Sequence, residues 1–117
     1  MVVVCHGPAE LVAAKHDSKP HPYAGYEMVA FPDSADRQSP LIGYLPGTLP
    51  WFQCEELEGQ GMKILNTKIT GATHVDRKLY SVDSPMACDA LGKMVAHALL
   101  DEVAGETEAP TLRAVGA

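Results

Sequence analysis

Val2-Val3-Val4-Cys5-His6-Gly7-Pro8 decides how the rest of the chain is read. A run of valines without polar alternation suits a strand covered on both faces, the place of an interior strand in a parallel sheet. The run stops at Cys5-His6-Gly7, and Pro8 stands where the first residue of a helix would stand, since the N–H it lacks would be unpaired there anyway. Ala9 to Lys15 continue as Ala-Glu-Leu-Val-Ala-Ala-Lys, mostly good helix formers. The local reading is strand, sharp turn, helix, with a cysteine at the turn.

Working outward, the polar stretch His16 to Tyr23 reads as a loop, and Tyr26 to Phe31 as a strand closed by Pro32 and Asp33. Gln38 to Leu49 has the prolines and glycines of irregular structure. A helix is predicted from Pro50 to Glu58, capped by Thr48 or Leu49 and stopped by Gly59 and Gly61. Met62 to Asn66 and Lys78 to Val82 are the remaining strands. Ser84-Pro85 opens the clearest helix, with Ser as N-cap, Pro at the first position and Asp89 soon after. Ala87, Leu91, Met94 and Ala98 fall on one face of it, and it is predicted to end near Val103 to Gly105. Residues 1–105 thus form the domain and 106–117 a flexible tail. Strands alternating with helices predict an α/β fold with a parallel sheet. An interior strand that begins at residue 2 has nothing before it to supply its neighbours, so the chain reads as the C-terminal part of a larger domain, truncated at its N-terminus.

Composition narrows the function classes. In 117 residues, nine Lys+Arg stand against fifteen Asp+Glu, a formal net charge of −6. With no basic run, the electrostatic basis for binding phosphate backbones or anionic lipid is missing, so neither nucleic acid nor membrane is expected as a partner. Three widely spaced cysteines without a CxxC predict neither a disulfide framework nor a zinc knuckle. No apolar stretch approaches a membrane span, and the N-terminus lacks the layout of a signal peptide. The expected location is the cytoplasm.

Cys5 is the first candidate for chemistry. A small nucleophile on a tight strand-to-helix turn is presented at the strand's C-terminal end. The N-terminus of the next helix is expected to favour the thiolate and to receive a developing oxyanion. Gly7 permits close approach. His6 could act as a base or proton shuttle if an acid orients it, and Asp33 and Asp36 are the nearest acids able to reach the same sheet edge. The bland alternative for Cys5 is an inert core thiol. Cys54 and Cys88 are read as packing residues on those grounds. His16, His21, His74 and His97 show no ligand spacing, so no metal is expected. Trp51 and Phe52 read as core or interface aromatics, and Asp76-Arg77-Lys78 as a solvated turn or local ion pair rather than a substrate clamp.

Six segments in order resemble one family: Cys5-His6-Gly7-Pro8-Ala9, Phe31 to Asp36, Ile42 to Gly47, Ile69-Thr70-Gly71, Asp76 to Leu79, and Asp83-Ser84-Pro85. They are similar to the glyoxalase III, protein deglycase and heat-shock chaperone branch of the DJ-one/PfpI superfamily, over nearly all of Val2 to Gly105. The resemblance implies a flavodoxin-like sheet with helices on both faces, related to class I glutamine amidotransferases. It implies glutathione-independent conversion of methylglyoxal to lactate, or removal of such adducts from protein, with no cofactor. By resemblance Cys5 matches the nucleophile, His6 its partner and Asp36 the acid that orients the histidine, with Asp33 as a neighbouring aspartate. The implied partners are a small 2-oxoaldehyde or glycated protein, and a second copy in a homodimer. The family's site also uses a glutamate on an N-terminal turn with no counterpart here. The alternative expectation is a non-catalytic holding chaperone or interaction fragment, acting through an exposed apolar sheet edge.

Overall fold

The computed structural model describes residues 1–15 and 19–108. Five strands are present: β1 (Val2–Val4), β2 (Glu27–Met28), β3 (Lys63–Ile64), β4 (Thr73–Asp76) and β5 (Leu79–Val82). Three α-helices accompany them, α1 (Asp33–Gln38), α2 (Gln53–Gly59) and α3 (Cys88–Glu108), together with 3₁₀ helices at Gly7–Ala14 and Pro85–Ala87. One sheet has the order β1-β5-β4 and a second pairs β2 with β3. β1 runs parallel to β5, with Val3 opposite Ser81, and β2 runs parallel to β3. β4 and β5 form an antiparallel hairpin closed at Arg77 and Lys78, where Arg77 takes a φ of +56°.

The architecture is α/β with helices on both faces. Strand alternation shows why. Val3 and Leu79 belong to one apolar cluster with Leu11, Met28, Leu57 and Met62, under the first 3₁₀ helix and α2. Val4, Tyr80 and Val82 point the other way, against Ala87, Leu91 and Val95 of the last helical region. Successive residues of one strand thus serve two layers.

Several expectations change. Among the described residues β1 is paired on one side only, by β5, and Val2 is 47% exposed. Unalternated apolar sequence reports cover on both faces, and helices supply that cover without a strand at each edge. The sheet is mixed rather than wholly parallel, because the short run Thr73–Asp76 folds back on β5. Pro8 opens a 3₁₀ helix where an α-helix is predicted. The segment after Phe31 carries α1, which the prolines and glycines around it obscure. The last helix does carry Ala87 and Leu91 buried, with Met94 and Ala98 half-buried, on its inner face. It continues to Glu108, three residues past the predicted end. The rest of the expected tail, 109–117, lies outside the described residues, as does His16.

Candidate functional site

β1 delivers Cys5 by continuing its own ladder: the Cys5 N–H donates to Val82 O (3.0 Å). The chain then reverses at once. Cys5 takes a φ of +59°, a left-handed conformation that is uncommon for a side-chain-bearing residue and clusters at functional sites. The reversal is held because the Cys5 carbonyl accepts the N–H of Phe31 (2.9 Å) and the Nε2–H of Gln53 (3.1 Å). Gln53 Nε2 also donates to Phe31 O (3.0 Å).

His6 lies with Nδ1 3.4 Å from Cys5 Sγ. Its Nε2 sits between the two oxygens of Asp36, at 2.9 and 3.0 Å. An ionised carboxylate only accepts, so Nε2 carries the hydrogen and Nδ1 turns its lone pair toward the thiol. The imidazole rests on the Phe31 ring, centroids 4.4 Å apart. Asp36 is buried on α1 while the His6 side chain is half exposed. Cys5, His6 and Asp36 therefore meet as a line of thiol, imidazole and carboxylate. In this arrangement the histidine can take the thiol proton, and the acid steadies the charge that results.

The second aspartate does something else. Asp33 Oδ1 accepts the Cys54 N–H and Oδ2 the Glu55 N–H, each at 3.0 Å. The first residue of α1 thus caps α2, in place of Thr48 or Leu49. Phe52, next to this cap, is buried beneath the Arg37 guanidinium (4.0 Å), whereas Trp51 is 45% exposed.

Burial, with the Asp36 charge adding to it, pushes the Cys5 thiol above its ordinary value, despite the opposing His6 backbone N–H. This reverses the expectation of a thiolate favoured by a helix N-terminus. The turn leads into a 3₁₀ helix with no side-chain cap, and burial of the thiol outweighs what the backbone N–H there contributes. At neutral pH Cys5 is therefore held as a thiol. Cys54 is buried, and burial together with the Asp33 charge pushes it up to about 12. Cys88, expected near the packed face, is exposed. His21 is buried and structural, bonded to Leu11 O and to the Tyr23 N–H. Among the described residues no cluster of His, Cys, Asp or Glu is arranged to hold a metal, and no helix is long and apolar enough to cross a membrane.

A cavity of about 710 Å³ is lined by His6 and Asp36 together with Phe31, Ile42, Tyr44, Leu45, Leu49 and Ile69. Sequence reading missed those walls, because Ile42 and Tyr44 stand in a Pro- and Gly-rich stretch without periodicity. Gln53 was missed for a different reason: a lone glutamine carries no pattern.

No protein-family model matches the chain. It is 50% identical over 105 residues to the protein/nucleic acid deglycase HchA of Escherichia coli (strain K12 / DH10B), covering 90% of this chain and 36% of that protein. The HchA of Escherichia coli O1:K1 / APEC is 49% identical over the same shares. The chain spans about a third of the length of these relatives. Two solved structures share the fold. The crystal structure of APC35852 matches with a TM-score of 0.70 and 24% identity, over 86% of this chain and 44% of that one. The Rapid Encystment Protein of Francisella tularensis matches with a TM-score of 0.67 and 18% identity, over 84% and 42%. Over the stretch it spans, this chain is a relative of the protein deglycase branch of the DJ-one/PfpI superfamily.

Proposed function

We propose that the chain carries the thiol chemistry of a glutathione-independent glyoxalase and deglycase, with Cys5 as nucleophile, His6 as proton shuttle and Asp36 as the acid that orients it. The observation that carries this reading is the alignment of Sγ, Nδ1, Nε2 and the Asp36 carboxylate. Because the thiol is held protonated, attack and proton transfer to Nδ1 go together. Sulfur bonds to the aldehyde carbon of a 2-oxoaldehyde, and the aldehyde oxygen, once protonated, becomes the hydroxyl of a hemithioacetal. The proton on that carbon then moves to the neighbouring carbonyl carbon, leaving a thioester of a 2-hydroxy acid. Water cleaves the thioester, releasing the acid and restoring the thiol. For an aminocarbinol adduct the same attack breaks the C–N bond, and the freed amine takes a proton and leaves.

The walls beside His6 support a substrate larger than a three-carbon aldehyde, such as an adduct carried on a side chain. The curated relatives are named for nucleic acid as well as protein. The charge argument against nucleic acid concerns a groove that tracks phosphates, and an adduct on a single base needs no such groove, so bases belong in the proposed substrate class. The reading predicts lactate from methylglyoxal without glutathione, abolished in Cys5→Ala. If both proteins are inactive while folded, the catalytic reading of this chain fails.

A second reading is favoured by one observation, the exposure of Leu41 (84%), Ile42 (68%) and Tyr44 (80%). An apolar surface of this kind suits holding of unfolded clients. It predicts suppression of client aggregation that Cys5→Ala leaves unchanged and that Leu41→Ser with Tyr44→Ser removes. A monodisperse chain without effect on client aggregation refutes it.

A further inference from the structure

Gln53 is 3% exposed, and both hydrogens of its amide are spent on backbone carbonyls of other segments, Cys5 O and Phe31 O. Its Oε1 is buried with no partner among the described residues. An orphaned amide oxygen in the interior is unfavourable, and an apolar side chain of equal length would fill the space without it. Gln53 is the first residue of α2, whose N-terminus is already capped by Asp33, so the helix does not need the amide. What the amide does is tie together two points that fix the reacting groups. One is the carbonyl of Cys5, whose φ of +59° aims the thiol at His6. The other is the carbonyl of Phe31, whose ring supports the imidazole.

We infer that Gln53 is a positioning residue of the site, holding Cys5 in its left-handed conformation and Phe31 beneath His6 so that thiol and imidazole stay in contact. It touches no substrate. The inference rests on the proposed pairing of Cys5 with His6, and it assigns the maintenance of that pair to a side chain behind it.

The three cysteines supply the test, because iodoacetamide labels each thiol at its own rate and peptide mass spectrometry resolves the sites. Cys88 is exposed and serves as reference, while Cys54 is buried and reports whether the fold is intact. The measurement is a double-mutant cycle at neutral pH on the full chain: the parent, His6→Ala, Gln53→Met, and both together. Met keeps the length and lacks the donor. The expected result is that His6→Ala changes the Cys5 rate about tenfold in the parent and less than about twofold once Gln53 is Met. Cys88 should be unchanged throughout. An equal His6 effect in both backgrounds overturns the positioning role and leaves the Cys5–His6 pair standing. No His6 effect in the parent overturns the pair and the inference with it. If Gln53→Met exposes Cys54 to label, the cycle is read in Gln53→Glu, which preserves shape while its carboxylate cannot donate. Exposure of Cys54 in both variants makes Gln53 a fold residue and refutes the proposal.

Discussion

Asp83 is wholly buried at the end of β5, and its carboxylate is fully engaged: Oδ2 accepts the Thr70 N–H and Oδ1 the Ser84 hydroxyl, each at 2.9 Å. The Asp83 N–H donates in turn to Ala72 O (3.1 Å). This one residue pins the 69–72 loop, which supplies Ile69 to the cavity wall, against the strand that pairs with β1. Asp83→Asn removes the charge and sets an amide NH2 against at least one of the donors around it. One charge-assisted bond to a buried group contributes about 1.5–3 kcal/mol, and the donor left facing a donor adds a desolvation cost. The expected loss is about 3 kcal/mol. With a urea m-value of about 2 kcal/mol/M for a chain of this size, the unfolding midpoint falls by about 1.5 M. pH gives an independent check. Burial acts to raise the Asp83 pKa, but the N–H groups of Thr70, Ala72 and Gly71 and the Ser84 hydroxyl outweigh it and hold it below the usual carboxylate range. A carboxyl whose folded value lies below its unfolded value stabilises above the unfolded value, about 3.9, and loses that contribution as pH falls through the folded value. The gap between parent and variant should be full at neutral pH and shrink below about pH 4. A midpoint shift under about 0.3 M at neutral pH, or a gap that widens in acid, would refute the reasoning.

Asp36→Asn separates two effects of opposite sign. An imidazolium beside a carboxylate gains about 4 kcal/mol at an effective dielectric near 20, and the half exposure of His6 reduces this to about 2. Turnover should therefore fall about thirtyfold, while the pH midpoint for labelling Cys5 moves down, because the Asp36 charge is one cause of its elevation; unchanged turnover sinks the orienting role. Asp33→Ala removes the acceptor of two α2 N–H groups and should lower stability by about 1.5 kcal/mol, read as roughly 6 °C in Tm by circular dichroism, with Asp33→Asn losing less. A Tm within about 1 °C of the parent would show that water or another side chain caps the helix equally well.

Much of the site could be read in the sequence because its parts are local. Cys5, His6 and the turn they make are adjacent, so a cysteine between an apolar run and Pro8 can be placed at a strand-to-helix turn without any long-range contact. Asp36 needed the family resemblance: thirty residues separate it from His6, and only α1 closes that distance. α1 and β4 escaped because each is short and lies among turn residues, so its pattern is shorter than the period that would reveal it. The thiol's electrostatics were misread for a related reason. A helix dipole can be inferred from a predicted helix, but the burial that opposes it, with the Asp36 charge adding to it, exists only in the fold. Gln53 shows the same limit, since an amide that bonds to two backbone carbonyls leaves no trace in composition or spacing.

Asp33 and Asp36 stand one helical turn apart, the first gripping the start of α2 and the second gripping His6. α1 therefore works as a short lever between a structural grip and a functional one. A disturbance at the first turn of α2 reaches the imidazole through this single turn of helix, with no core residue having to move. Substitutions that loosen α2 should accordingly disturb the His6–Asp36 contact as well as the helix, and stabilising changes around Cys54 and Glu55 should hold that contact more firmly.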